Sequence, residues 1–231
     1  MKVSLKIRKI HRYLGLIIGI QFLIWTISGL YFSWTNLDEI HGDQFMKNPI
    51  SKISFSGLSG LEYISNISKL ELLNIANEPF YWVNEKQLYN AKNGNKLDEI
   101  TEKQAIEVVN FHLKEDLEIS TIEKIENVGP HHEYRGKPLP AYAINFNHPE
   151  KITAYVSAKN GKFQRVRHSS WRIFDFLWMG HTMDYNGRDN FNNILLRVFS
   201  LFGVLTVLSG FSLWFVTSSF YKNSLDFNII F

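Results

Sequence analysis

The feature that most constrains this chain is a run of 22 residues without a charge, YLGLIIGIQFLIWTISGLYFSW, from Tyr13 to Trp34. As an α-helix the run would be about 33 Å long, enough to cross the hydrocarbon core of a bilayer. A helix in a soluble core carries a polar stripe, whereas the polar side chains here are few and uncharged, and can bond their own backbone or a neighbouring helix. The run therefore predicts a transmembrane helix.

Basic residues in front of this run predict its direction. Positive charge marks the cytoplasmic side of a membrane helix, so the helix is expected to run outward. A cleaved signal peptide has the same basic start, but its apolar core is only about 7–15 residues long and is followed by small residues. The longer run here ends in Tyr31, Phe32 and Trp34, which favours a retained anchor. The basic residues are Lys2, Lys6, Arg8, Lys9 and Arg12.

A second uncharged run, from Val198 to Val216, predicts a second transmembrane helix. Two crossings return the C-terminus to the cytoplasm, so about 155 residues between Asn36 and Asn193 are expected outside, enough for one domain. The mean hydropathy of −0.13 suits a chain that is mostly in water. The predicted localisation is the cytoplasmic membrane, with both termini inside, the main domain outside and the lipid bilayer as a partner.

Charge and composition exclude several functions. The net charge is +3, and no basic face with interleaved aromatic residues indicates nucleic-acid binding. The chain has no cysteine, which excludes disulfides, thiolate catalysis, iron–sulfur clusters and covalently attached c-type haem. No nucleophile elbow, phosphate loop or HExxH motif occurs. A redox function would thus need a non-covalent cofactor.

The segment between the two spans is predicted to be α+β. Apolar residues at three-to-four spacing predict an amphipathic helix over 58–70, and Thr101 with Gln104 forms a capping box that opens a second helix. Each helix is followed by strand-like runs and by an Asn-Gly turn within the repeated tetrapeptide Ala-Lys-Asn-Gly, at 91–94 and 158–161. We therefore predict two helix-plus-antiparallel-sheet units. The predicted strands are 71–76, 79–84, 86–91, 119–128, 139–147 and 152–158.

These elements give the predicted domain boundaries. The linker is expected to extend the first helix until Gly42 and Pro49 break it. In the sequence VGPHHEYRG, the run His131-His132-Glu133 is interpreted as a solvated hairpin tip rather than a metal site. In chain order we expect a basic cytoplasmic N-terminus (1–12), a transmembrane helix (13–34), a linker (35–57), the first unit (58–100), the second unit (101–168), an interfacial amphipathic segment (169–193), a transmembrane helix (194–217) and a cytoplasmic tail (218–231).

The second unit, with its capped helix and a hairpin of the form YVSAKNGKF, resembles a PepSY domain. The stretches KIHRYLGLIIGIQFLIWTISGLYFSW and WRIFDFLWMGHTMDY are similar to the PepSY-associated transmembrane family, most specifically in HRYLGL at 11–16 and GHTMD at 180–184. Larger relatives in that family are haem-bearing reductases that pass electrons to ferric siderophores. The resemblance thus implies a bacterial two-pass inner-membrane protein, with b-type haem as its cofactor. Its activity would be electron transfer in iron uptake, as a ferric reductase or a subunit of one.

Three histidines are candidate haem ligands. If 170–185 is a helix, His181 shares an aromatic face with Phe174, Leu177 and Trp178, which lie seven, four and three residues before it. There it either bonds a carbonyl or hydroxyl while the helix lies in the outer interface, or ligates haem iron with His41 as the opposite ligand. His11 lies at the cytoplasmic mouth of the first span, where it is either an interfacial polar residue or a second ligand.

Two spans, where the larger relatives have about four, predict a homodimer or a membrane redox partner for electron flow. Small residues permit close helix approach, between copies or within one chain; they are Gly15, Gly19, Gly203, Thr206 and Gly210. The alternative function is a haem-free, membrane-tethered PepSY regulator or inhibitor of extracytoplasmic proteases. It would act through a sheet edge or the hairpin tips, with Tyr142 and Tyr155 as the residues that test it.

Overall fold

The computed structural model describes residues 2–47, 53–114 and 117–218. The predicted break at Pro49 and the predicted tail beyond Ser218 lie outside the described residues. The α-helices are α1 (Lys2–Trp34), α2 (Leu37–His41), α3 (Glu102–His112), α4 (Ser169–Thr182) and α5 (Ile194–Thr217), with 3₁₀ turns at Asp43–Phe45 and Leu61–Tyr63. The strands are β1 (Leu70–Ile75), β2 (Glu78–Val83), β3 (Gln87–Asn90), β4 (Lys96–Leu97), β5 (Ile119–Ile125), β6 (Ala141–Phe146), β7 (Thr153–Ser157) and β8 (Phe163–Arg167).

The chain forms two compact units. The helical unit contains α1 and the part of the chain after Phe174, and the sheet unit is Thr35–Phe174. In the described part of the chain, two helices are long and apolar enough to cross a membrane, over Leu5–Trp34 and Ile194–Thr217. Only 17% and 11% of their most apolar stretches are buried. The core helix of a soluble protein would be mostly buried, whereas these two helices expose most of their apolar side chains.

Helix α1 begins earlier than predicted. The basic segment before Tyr13 is helical from Lys2 onward and continues without a break into the apolar run. Its Lys, Leu and Arg residues are good helix formers, and the segment has no glycine or proline to interrupt them. The predicted boundary at residue 13 therefore marks a change of polarity and not the start of a helix.

Helices α1 and α5 pack antiparallel through small residues of α5. A Cβ added at Gly203 would lie 3.1 Å from the ring of Phe22, and one at Gly210 would lie 3.3 Å from Cε1 of His11. The packing within one chain thus uses the small face of α5. Gly15 and Gly19 of α1 are not part of it, because a Cβ added at either would meet no atom within 4 Å.

The linker prediction holds in part. Helix α1 ends at Trp34, and the short helix α2 follows as a separate element, capped by the side chain of Asn36, which accepts from the backbone N–H of Asp38 at 3.0 Å. Gly42 ends α2 in the left-handed region with φ of 94°, as its sequence position predicted.

The prediction of a helix over 58–70 is wrong. The segment has only the 3₁₀ turn Leu61–Tyr63, after Gly60 at φ of 83°. Ser59 donates its backbone N–H to the carbonyl of Ala91 at 2.8 Å, and a Cβ added at Gly60 would lie 2.5 Å from Cα of Gly94. The segment is thus an extended strap across the β3–β4 turn, because left-handed glycines and bonds to that turn replace helical bonding.

In the described part of the chain, the strands form two four-stranded antiparallel sheets, in the orders β1-β2-β3-β4 and β5-β6-β7-β8. The two Ala-Lys-Asn-Gly turns are built alike. Gly94 donates its N–H to the carbonyl of Asn90, and Gly161 donates to that of Ser157, both at 2.9 Å. The architecture is therefore α+β with two sheets of one design, as predicted.

The two sheets share one core and one helix, which corrects the expectation of two helix-plus-sheet units. Helix α3 begins with the predicted capping box of Thr101 and Gln104 and packs against strands of both sheets. Its apolar face joins side chains from each sheet in a single buried cluster. Members of that cluster are Phe80, Trp82 and Leu88 of the first sheet, Val108 and Val109 of α3, and Ile144 and Val156 of the second sheet.

The interpretation of VGPHHEYRG as a solvated tip is wrong for Glu133. Its side chain is 16% exposed and accepts from Nε of Arg172 at 2.6 Å and from Nη2 at 2.9 Å. The hydroxyl of Tyr155 donates to the same carboxylate at 2.7 Å. Burial, with this carboxylate next in importance, raises the pKa of Tyr155, so the phenol stays protonated and donates. The loop is thus pinned to β7 and to the start of α4.

A glycine substitution tests whether the sheets depend on each other. A Cβ added at Gly161 would lie 2.9 Å from the buried side chain of Ile75 in the first sheet, while one at Gly136 would meet nothing within 4 Å. Both glycines have positive φ, so Gly161→Ala and Gly136→Ala share the backbone cost. We expect Gly161→Ala to lower the free energy of unfolding by about 1–3 kcal/mol more than Gly136→Ala, as overpacking does. Equal losses in thermal unfolding would contradict the contact.

Candidate histidine sites

His181 lies near the end of α4 among aromatic side chains, as the spacing predicted. Its ring is parallel to that of Trp178, with centroids 6.5 Å apart, and meets the ring of Phe32 edge-on at 5.5 Å. Trp25 lies at 6.5 Å on α1. The histidine is therefore held on an apolar, aromatic face.

A hydrogen bond to Ser28 orients the ring of His181. Ser28 is fully buried, and its Oγ lies 2.7 Å from Nδ1 of His181. The same hydroxyl donates to the carbonyl of Ile24 at 2.7 Å, the usual bond of a helical serine. Its one hydrogen is thereby used, so Oγ accepts from Nδ1–H. The hydrogen-bond network assigns the Nδ1–H form, which leaves the lone pair of Nε2 free of the protein contact.

His11 is held in the same way at the other end of the bundle. Its Nδ1 lies 2.8 Å from Oγ of Ser209, and this hydroxyl donates to the carbonyl of Thr206 at 2.7 Å. Nδ1 therefore carries the hydrogen and Nε2 again has the free lone pair. In both histidines, Nδ1 is thus held by a hydrogen bond within the protein and Nε2 is the nitrogen that could bind a metal. Metal-ligating imidazoles are oriented in the same way.

The structure does not bring the predicted ligands together. His11 and Ser28, the partner of His181, are 17 positions apart on α1, which is about 26 Å along the helix axis. One iron atom cannot be shared across that distance within a chain. His41, the third predicted ligand, is the exposed last residue of α2 in the sheet unit.

Polar side chains of α1 hold the end of α4. Gln21 donates from Nε2 to the carbonyl of Gly180 at 2.9 Å, and Trp25 donates from Nε1 to the carbonyl of His181 at 2.8 Å. These carbonyls belong to the last turn of α4, where the helix itself offers no N–H partner. The contacts of Gln21, Trp25 and Ser28 with α4 are not among the predictions from the sequence. Their spacing of four and three residues, a polar stripe on an apolar helix, was the available signal.

Helix α4 ends at Thr182, three residues earlier than predicted. Met183 has φ of 54°, which ends the helix. The Asp184 carboxylate then accepts from the backbone N–H of Asn190 at 2.8 Å and from that of Gly187 at 3.2 Å. These bonds lower the pKa of Asp184 below the ordinary carboxyl value, the bond from Asn190 most. Asp184 thus shapes the connection that leads to α5.

Apolar grooves border both histidine sites. One, of about 490 Å³, lies along α5 at Val207, Gly210, Phe211 and Trp214, and a Cβ added at Gly210 would lie 3.3 Å from the ring of His11. A second, of about 320 Å³, lies between α1 and α4 and includes Gly180, the neighbour of His181. No cluster of three or more His, Asp or Glu side chains suited to a metal ion occurs among the described residues.

Fold and sites together define the class: an α+β chain with two helices suited to a membrane and two histidines that serines hold by Nδ1. Comparison with protein-family models, with curated proteins and with solved structures found no match to this chain.

The Asp184 carboxylate gives the helical unit an acid-sensitive connection. Because the folded state lowers the pKa of this group, its stabilising effect is present above the ordinary carboxyl range and is lost as the pH falls through the lowered value. We expect the wild type to lose stability on acidification, and Asp184→Asn to lose about 1 kcal/mol less over the same range, the size of one capping interaction. Tryptophan fluorescence during thermal unfolding measures this. The control is Asp98→Asn, an exposed carboxylate of the sheet unit, which should behave as wild type.

Proposed function

We propose that this chain is a two-pass protein of the cytoplasmic membrane that holds b-type haem at His181 and His11. It would serve as an electron-transfer subunit in the reduction of ferric siderophores. The observation that carries the proposal is the repeated serine–histidine arrangement, with Ser28 and Ser209 each accepting from Nδ1 and leaving Nε2 available. The substrate class comes from the sequence resemblance to the PepSY-associated transmembrane family.

Membrane insertion is supported by the surface of the helical unit. Large apolar side chains are exposed along both long helices, for example Leu16 at 70% and Trp214 at 69%. Because α1 and α5 run antiparallel, a bilayer around them would put the start of α1 and the end of α5 on one side. The basic residues before Tyr13 would make that side cytoplasmic, with the sheet unit outside.

A retained anchor is supported over a cleaved signal peptide by the partners of α1. Gln21, Trp25 and Ser28 bond the end of α4, and His11 bonds α5. Removal of α1 would leave these buried polar groups of the helical unit without partners, at a cost of about 1–3 kcal/mol each. A secreted product without α1 would therefore lack much of what holds this unit together.

Bound haem would supply one-electron transfer at iron. The residues of this chain would orient and enclose it: Ser28 and Ser209 orient the rings of the two histidines, and Trp178 and Phe32 exclude water around His181. Gly210 leaves the ring of His11 open to a flat neighbour, because a Cβ there would approach its Cε1 to 3.3 Å. Since His11 and His181 are far apart, each would belong to a separate haem. The iron of each haem would take its second ligand from a second copy of the chain, from a membrane partner or from His41.

Reporter fusions test the topology. An alkaline phosphatase fused at Asn95, in the turn region of the first sheet, should be active because the enzyme folds only outside the cytoplasm. A reporter at the C-terminus should give the opposite result. An inactive phosphatase at Asn95 would overturn the assignment of sides.

Visible spectra of the purified protein test the haem assignment. In a reduced-minus-oxidised spectrum we expect a b-type signal that falls by roughly half in His181→Ala and in His11→Ala, and disappears in the double variant, because the two sites are separate. His41→Ala tests the third candidate, and His131→Ala, an exposed histidine of the sheet unit, is the control.

Two results would count against the haem assignment. A b-type spectrum that is unchanged in all three histidine variants would rule out His181, His11 and His41 as the ligands. Protein that is made under haem-replete conditions and has no Soret band would contradict the proposed redox function as a whole.

The alternative, a tethered regulator of proteases, is favoured by one feature of the sheet unit. Strand β1 is an edge strand, and its Leu70 and Leu72 are 43% and 45% exposed. An extended segment of a partner adds to such an edge. Tyr142 and Tyr155 are buried at 6% and 3%, so changes there would act on folding and not on a partner. A haem-free protein that co-purifies with a peptidase, and loses it on Leu72→Lys, would support this function over electron transfer.

A further inference from the structure

His168, between β8 and α4, has acceptor atoms opposite both of its ring nitrogens. Its side chain is 1% exposed. Nε2 lies 3.0 Å from the carbonyl oxygen of Glu39 and 3.1 Å from that of Ile40, in the last turn of α2. Carbonyl oxygens only accept hydrogen bonds, so Nε2 carries a hydrogen. The ring thereby binds two carbonyls of the last turn of α2, and that of Glu39 also accepts from the backbone N–H of Gly42 at 3.1 Å.

The other nitrogen, Nδ1, faces a carboxylate. It lies 3.6 Å from Oε2 of Glu150, and in the described part of the chain neither buried atom has a hydrogen-bond partner. The backbone of Glu150 is held in place on both sides. Its carbonyl accepts from the backbone N–H of Ser169 at 2.8 Å and from Oγ of Ser169 at 3.0 Å, and its N–H donates to Nδ1 of His148 at 3.1 Å. The carboxylate is thus held opposite the ring by the main chain.

A neutral imidazole cannot satisfy both sides. It has one N–H, which the carbonyls of α2 already take, so its Nδ1 lone pair would face the lone pairs of the carboxylate. Two buried acceptors without a donor between them are costly. We propose that His168 is an imidazolium ion in the folded protein, and that it forms a proton-dependent latch that ties α2 to the β6–β7 turn through Glu150.

Loss of the extra proton would open one side of the latch. The single remaining N–H serves either the carbonyls of Glu39 and Ile40 or the carboxylate of Glu150, but not both. The Glu150 side chain is 45% exposed and can turn to water, whereas the carbonyls of α2 cannot leave without moving the helix. A rise in pH therefore loosens the join between α2 and the turn, and the latch is present only while the ring is charged and Glu150 is ionised.

No other ion pair to His168 occurs among the described residues. The ring of Phe45 covers one side of the imidazole, edge-on at 5.3 Å, and excludes water there. The groups of the latch, His168, Glu150 and the carbonyls of Glu39 and Ile40, all lie in the sheet unit. The ionisable side chains on the elements packed around it are Asp38, Glu39 and His41 of α2, Asp43 of the next turn, His148 and Lys151 beside Glu150, and Arg167 and Arg172 on either side of His168.

Nitrogen-15 NMR of the full chain in detergent, labelled at the histidine rings, tests the proposal. The signals of His168 are those absent from His168→Gln. In Glu150→Gln the amide can donate to Nδ1, so a neutral ring satisfies both sides. We expect the ratio of charged to neutral His168 at about pH 7 to be at least ten-fold higher in the wild type than in Glu150→Gln. A wild-type ring that is neutral, with hydrogen on Nε2 alone, would overturn the latch.

Thermal unfolding at about pH 5.5 and about pH 8 gives a second readout, on either side of the range in which histidine titrates. The wild type should lose stability as the pH rises relative to Glu150→Gln, whose amide keeps the contact at both values. Glu123→Gln, an exposed carboxylate on β5, is the matched control and should follow the wild type. The same pH dependence in Glu150→Gln and wild type would contradict the proposal even if both fold.

Discussion

The helical unit depends on hydrogen bonds from one face of α1 to the end of α4. On an otherwise apolar helix, Gln21, Trp25 and Ser28 are spaced to meet a neighbour, and they bond the last carbonyls of α4 and the ring of His181. In an apolar environment no water would replace these partners, so the three bonds select one register between the helices. The position of His181, and the direction in which its Nε2 points, follow from that register.

The sheet unit is organised by a different constraint, a single core between two sheets of one design. In the described part of the chain, α3 packs against strands of both sheets and joins its apolar side chains to theirs. The first sheet instead has a strap of left-handed glycines at its turn, with Gly60 against Gly94. Each sheet buries apolar side chains in a core that the other sheet and α3 complete.

Much of the fold could be predicted from local sequence signals. The uncharged runs, the capping box at Thr101 and the Asn-Gly turns each act over a few residues, and the structure has helices and turns where they indicate. The segment 58–70 could not be predicted in this way, because its helical spacing is overridden by bonds to a turn about 30 residues later in the chain. Glu133 shows the same limit, since its partners Tyr155 and Arg172 come from β7 and α4.

The histidine sites could be predicted only in outline. The aromatic spacing before His181 placed it on the right face, but its pairing with Ser28 joins residues 153 positions apart, and that of His11 with Ser209 joins residues 198 apart. No local pattern carries such a pairing. The functions of Asp184 and His168 were missed for the same reason: each depends on which backbone groups the fold brings to it.

The separation of α1 from its partners also sets an order of events during synthesis. At about 5–20 residues per second, the ribosome needs roughly 8–30 s after Ser28 to make His181. Ser28 can spend that interval bonded to the carbonyl of Ile24 in its own helix, a partner that arrives with it. The amide of Gln21 has no such bond among the described contacts and must wait for Gly180. A newly made first helix therefore carries polar groups, those of Gln21 and Trp25, whose partners on α4 are made only after the whole sheet unit.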